Sequence, residues 1–174
     1  MSPQGGRLSE QSHARDQRTL KTRHRARVVA LQALYEIDCA RHAPGLVLQQ
    51  RLDATRLPDE AAGFTRRLVT GVLRHQAILD RFIHQYAPEW PLAQMAYIDR
   101  NVLRIAIFEF AVDCSTPVKV AINEAVELAK AFGSDSAPRF VNGVLGTLVA
   151  QREAIEQAVR DGPAANPSVM RQAL

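Results

Sequence analysis

No run of 18 or more apolar residues occurs in the 174-residue chain, so no segment is expected to cross a membrane as a helix. The first residues, MSPQGGRLSEQSHARDQR, have no apolar stretch of the kind a secretory signal needs. Cysteine is scarce. Cys39 and Cys114 neither frame a disulfide-stapled fold nor make a zinc site. Both fall in apolar helical patterns and are expected to be small core residues in a reduced, cytoplasmic setting. A glycine-rich phosphate loop before a lysine is missing, and so is GxGxxG. The five histidines are scattered, and the pairs His75/Asp80 and His84/Glu89 stand five apart, a poor spacing for one helix face. Glu124 and Glu127 are three apart but have no Glu-x-x-His partner, which removes a di-metal site. With no catalytic residue, metal or cofactor to assign, the expected class is a binding protein. Strand alternation, long internal repeats and heptads are absent as well.

What is present is helical periodicity. Hydrophobic residues make up 47% of the chain, enough for a substantial core. Residues 23–41 read as a helix with Ala26, Val29, Ala30, Ala33, Leu34 and Ile37 on one side. A short helix over 46–57 and a long one over 59–86 follow, the latter carrying Phe64, Leu68, Val72 and Phe82 at helical spacing. Gly71 inside it is expected to bend it or to permit close packing. The segment APEWP (87–91) holds two prolines and the one tryptophan, and marks a seam between two halves, about 23–87 and 92–158. Residues 98–112, IDRNVLRIAIFEFAV, are apolar nearly all round and should form a central helix.

Pro117–Val149 reads as two helices joined by a tight connection. Val118, Ile122, Ala125, Ala129 and Phe132 form one apolar face, and Val141, Val144, Leu145 and Leu148 the other. Gly133 is the expected left-handed terminator, Ser134, Asp135 and Ser136 offer capping oxygens, and Pro138 suits a first turn. Gly143 and Gly146 are disfavoured inside a helix by about 1 kcal/mol each. Close approach of a neighbouring helix is the preferred explanation for them. The second helix should continue past Val149 as AQREAIEQAVR. The expected organisation is a flexible basic N-terminal arm (1–22), an all-α domain (23–158) and a flexible tail (159–174).

Charge is unevenly placed. Residues 1–27 carry seven basic and two acidic side chains, a net +5, while the whole chain is +4. The basic character therefore reads as a property of the arm, and an arm of this kind points to a polyanion such as nucleic acid. Cations for phosphates and aromatic faces for splayed bases are the ingredients of RNA recognition. Tyr35 and Phe140, which follow the basic start and Arg139 respectively, fit either a stacking platform or a half-buried core position.

Four stretches together resemble the NusB family of bacterial transcription antitermination factors. They are RHRARVVALQALYEID (23–38), LVTGVL (68–73), DRNVLRIAIFEF (99–110) and PVKVAINEAVELAKAFG with RFVNGVL (117–145). The resemblance implies an all-helical bundle of two packed halves without enzymatic activity. It implies binding of single-stranded boxA-type RNA together with NusE, a small-subunit ribosomal protein. Other Nus factors and RNA polymerase would be engaged indirectly, in support of ribosomal RNA transcription, and monomers and homodimers both occur in the family. Carried onto this chain, the RNA side is Lys21, Arg23, Arg25, Arg27, Tyr35, Tyr86, Arg139 and Phe140. The NusE side lies near the 99–109 helix, with Asp99, Arg104 and Glu109 as polar contacts. A helical interaction module with a nonspecific polyanion-binding arm is the alternative.

Overall fold

The apolar segment around residue 100 organises the molecule, because a helix without a polar face must be covered on every side. In the computed structural model, which describes residues 5–162, it forms α4 (Tyr97–Ile107), and every residue from Asn101 to Ala111 is buried. Packed on it are α1 (Gly5–Ala40), α3 (Asp59–Tyr86), α5 (Val118–Phe132) and α6 (Ala137–Val149), while α2 (Pro44–Thr55) packs on α1 and α3, and α7 (Arg152–Asp161) on α3 and the segment that follows α4. No strand occurs among the described residues, and the fold is all-α. Residues from both halves share one continuous core, with Leu31, Phe64, Leu68 and Leu79 joined to Leu103, Ile107, Leu128 and Leu145.

Several boundaries differ from the sequence reading. Helix α1 begins at Gly5, so the arm over 5–22 continues the helix that periodicity starts at Arg23. No proline interrupts residues 5–40, and nothing local stops the helix. Residues 1–4 of the arm and 163–174 of the tail lie outside the described residues. Gly133 ends α5 in an extended conformation (φ −91°, ψ −174°), not a left-handed one, while its N–H donates to the Ala129 carbonyl at 2.9 Å. The left-handed terminators are Arg41 and Arg56, after α1 and α2. Ser136 caps α6 without a side-chain bond, and Pro138 sits in the first turn as expected. Between α6 and α7 the helix breaks at Ala150–Gln151 and does not run on. Both cysteines are exposed, Cys114 in a left-handed conformation at the end of a helical segment, so neither is a core residue.

Directly after α4 the backbone widens into one π turn, Phe108–Val112, closed by Asp113 N–H on the Phe108 carbonyl at 2.8 Å. The Phe108 ring lies against the backbone of α3 at Gly71, where any Cβ would overlap it. Close packing is therefore the reason for this glycine. Gly71→Ala is expected to lower stability by about 1–3 kcal/mol, an overpacking cost, measurable as a reduced urea midpoint with an unchanged m-value. A variant as stable as the parent would mean that the ring moves aside freely.

Candidate nucleic-acid interface

The basic residues of α1 part onto two faces because Arg23 and Arg27 are one turn apart, and so are Lys21 and Arg25. Lys21 and Arg25 point outward, Arg25 donating from Nη2 to the Thr55 carbonyl at 2.9 Å. Arg23 is partly exposed. It stacks over the Phe64 ring at 5.3 Å and stands 3.6 Å from Glu60. Arg67 of α3 covers the same ring at 5.5 Å.

Arg27 is not part of that surface. Only 3% of it is exposed, and its Nε and Nη2 donate to both carboxylate oxygens of Glu109 at 2.8 Å each. Glu124 joins from α5, 3.5 Å from Arg27 Nη1 and 2.8 Å from His24 Nδ1. The expected RNA contact by Arg27 and partner contact by Glu109 are both corrected by this burial. The signal was in the sequence: Ala30, Leu31 and Leu34 stand three, four and seven residues after Arg27, which puts it on the core face.

Arg104 is corrected in the same way. Its Nε and Nη2 bind Asp80 at 2.7 and 2.8 Å, and Nη1 reaches Asp38 at 2.9 Å. Asp38 also accepts from Arg100 Nε at 2.7 Å and Asn101 Nδ2 at 3.1 Å. Burial pushes the Asp38 carboxyl up, but the Arg100 hydrogen bond and the Arg104 charge outweigh it and hold the group below its ordinary value. For Arg104, burial favours loss of the proton. The bonds and charges of Asp80 and Asp38 outweigh that and hold it above the ordinary arginine value.

Tyr86, Arg139 and Phe140 come together, from the end of α3 and the first turn of α6. They line an open groove of about 460 Å³ that also includes Trp90, Gly143 and Thr147. Trp90 is 55% exposed and meets Phe140 edge-on, ring centroids 5.8 Å apart. The sequence reading used Trp90 only as a seam marker and missed it here. A lone tryptophan between two prolines was its one available signal. Gly143 faces this groove, and a Cβ at Gly143 or Gly146 would meet nothing. The expected neighbouring helix is absent at both, since α6 turns this face to solvent. Asp99 adjoins the groove beside Trp90, Arg139 and Phe140. Its Oδ1 is buried without a hydrogen-bond partner, and burial raises its carboxyl above the ordinary value.

Tyr35 lies apart from this groove. It is 41% exposed and packs edge-on to Tyr97 at 6.1 Å, and Arg100 covers the Tyr97 ring at 4.3 Å. The structure thus assembles three surfaces: an arginine cluster over Phe64, an aromatic groove with Arg139, and a tyrosine pair at the start of α4.

These features define an all-α protein with cationic and aromatic surfaces. Residues 24–150 match the NusB family, and the chain belongs to it. It is 53% identical over 131 residues to the transcription antitermination protein NusB of Roseiflexus castenholzii, covering 74% of this chain and 92% of that one. With the same protein of Chloroflexus aggregans the identity is 52% over 146 residues, covering 80% and 97%. Among solved structures, T. maritima NusB is similar with a TM-score of 0.67 and 29% identity, covering 86% of this chain and 96% of that one. A complex of antitermination factors NusB and NusE with dsRNA contains a chain similar at TM-score 0.67 and 26% identity, covering 79% and 98%.

Proposed function

We propose that this protein is an RNA-binding transcription antitermination factor. It acts with NusE on boxA-type RNA and supports transcription of ribosomal RNA operons, with other Nus factors and RNA polymerase engaged through that complex. The observation that carries this reading, beside family membership, is the open groove in which Trp90 and Phe140 stand edge-on beside Arg139. The exposed Trp90 ring and the part-buried Phe140 ring supply stacking faces and the guanidinium a phosphate or base partner, the combination single-stranded RNA requires. Lys21, Arg23 and Arg25 add phosphate contacts, and Tyr86 borders the stacked bases. NusE docks at the start of α4. Of the polar contacts assigned there, Asp99 alone is part-exposed, and Tyr35, assigned from sequence to the RNA side, instead supplies exposed aromatic area here with Tyr97.

The test is a titration of boxA-type against scrambled RNA, with and without NusE. Tighter binding of the boxA sequence, strengthened by NusE, is expected. Equal affinity for both RNAs under every condition would overturn the proposal in favour of a nonspecific cationic module. Within that experiment, Phe140→Ala and Trp90→Ala should each weaken binding by about 1–3 kcal/mol. Trp90 is the cleaner probe, since its exposure leaves the melting temperature nearly unchanged.

A further inference from the structure

From Arg66 to Gln85 the exposed face of α3 presents cations and no carboxylate of its own; the exposed acids of the helix, Asp59 and Glu60, stand in its first turn. Arg66, Arg67, Thr70, Arg74, Ala77, Arg81, His84 and Gln85 are all exposed. At 100° per residue they fall within a stripe about 100° wide. Arg67, Arg74 and Arg81 recur every seven residues, so they stand about 10.5 Å apart along the axis at 1.5 Å per residue. Between Ala61 and Tyr86 the one carboxylate is Asp80, and Arg104 takes both of its oxygens toward the core. Arg67 and Arg81 lie over Phe64 and Phe82, at 5.5 and 5.3 Å, which leaves their charge uncancelled while orienting the guanidinium planes. One edge of the stripe is bounded by the end of α7, where Gly162 meets Ile78 and the neighbouring Asp161 accepts from Gln157 at 2.7 Å.

Two surfaces already described lie near the two ends of α3. At the α3 N-terminal end Arg67 shares the Phe64 ring with Arg23, and at the other end Tyr86 borders the Trp90–Phe140 groove. Phe64 and Tyr86 are 22 residues apart, about 33 Å of helix. We infer that the α3 ridge of Arg67, Arg74 and Arg81 is a phosphate track for RNA flanking the segment held in the aromatic groove, leading it toward Arg23. The inference rests on the RNA-binding reading. Charge complementarity and continuity with the groove select RNA over other occupants. The ridge also corrects the assignment of basic character to the arm alone: the near-neutral sum over the rest of the chain conceals a one-sided distribution.

The test uses the full chain and three RNAs: a boxA-type oligonucleotide, the same sequence with a ten-nucleotide uridine flank on each side, and a scrambled control. Wild-type protein should bind the flanked RNA roughly tenfold more tightly at low salt, with a steeper log–log salt dependence, as added phosphate contacts require. In R67Q/R74Q/R81Q the gain from the flanks should vanish, and the slope for flanked RNA should flatten by about 2, near 0.7 per contact for a single strand. Binding of the short RNA should be nearly unchanged. R67K/R74K/R81K should retain the gain, because charge and not ring stacking contacts the phosphates. An unchanged slope and gain in the Gln variant, or equal loss in the Lys variant, overturns the ridge while leaving the groove intact. No preference of the wild-type protein for either boxA RNA over scrambled RNA overturns the RNA-binding reading as well.

Discussion

Arg27→Ala is expected to destabilise the protein by about 3–5 kcal/mol, the cost of leaving a buried carboxylate without its partner. The pair is bidentate at 2.8 Å, with Arg27 3% and Glu109 1% exposed, so water cannot replace the lost guanidinium. The Glu109 side chain is carried on the π turn, and Glu124 at 3.5 Å would be left beside it as a second negative charge. Urea unfolding measures the effect. The double variant R27M/E109L should recover most of the loss, because two apolar side chains remove both desolvation penalties together. A loss below about 1 kcal/mol for Arg27→Ala would mean that the pair is hydrated. The same variants separate structural from RNA-binding roles. The folded R27M/E109L protein should keep the RNA salt slope, whereas Arg23→Ala and Arg25→Ala should each flatten it by about 0.7.

Arg104→Ala is expected to cost a similar amount, about 3–5 kcal/mol at neutral pH, since Asp38 and Asp80 lose the guanidinium they share. Its pH dependence identifies the cause. In the parent protein Asp38 lies below its ordinary value of 3.8, so its contribution to stability is fully present above that value and is lost as pH falls through the folded value. Without Arg104, Asp38 loses one of the charges that offset its burial, and its folded value rises toward the ordinary one. The variant therefore gains relative to the parent on acidification, and the stability difference should narrow as pH falls below about 4. Thermal melts of both proteins from neutral to acidic pH test this. A difference independent of pH would attribute the loss to packing of the arginine stem.

Two clusters of charge thus lie inside the molecule, and both involve residues that the sequence first placed on the surface. The error has one physical origin. Arginine and glutamate are usually solvated, and a family resemblance carries motif residues over without their orientation. Arg27 was recoverable from its register with Ala30, Leu31 and Leu34. Glu109 and Arg104 were less so, because the helix around them is apolar on every side, and a charge within it has no polar face to identify. Their partners, Arg27, Asp38 and Asp80, come from other helices and are 82, 66 and 24 residues away.

The sequence by itself determined the helical class, most element boundaries, the centrality of residues 98–112 and the family, because periodicity and motif order are local properties of the chain. It also supplied Tyr86, Arg139 and Phe140 as separate residues. Only the tertiary structure decided that these three meet Trp90 in one groove. Packing likewise turned Arg27, Arg104 and Glu109 inward, placed Phe108 against Gly71, and left Gly143 and Gly146 facing solvent. Which side of a helix is covered depends on neighbours distant in sequence. A summed net charge carries no direction, so the cationic side of α3 emerged only when the rest of the bundle had covered its other faces.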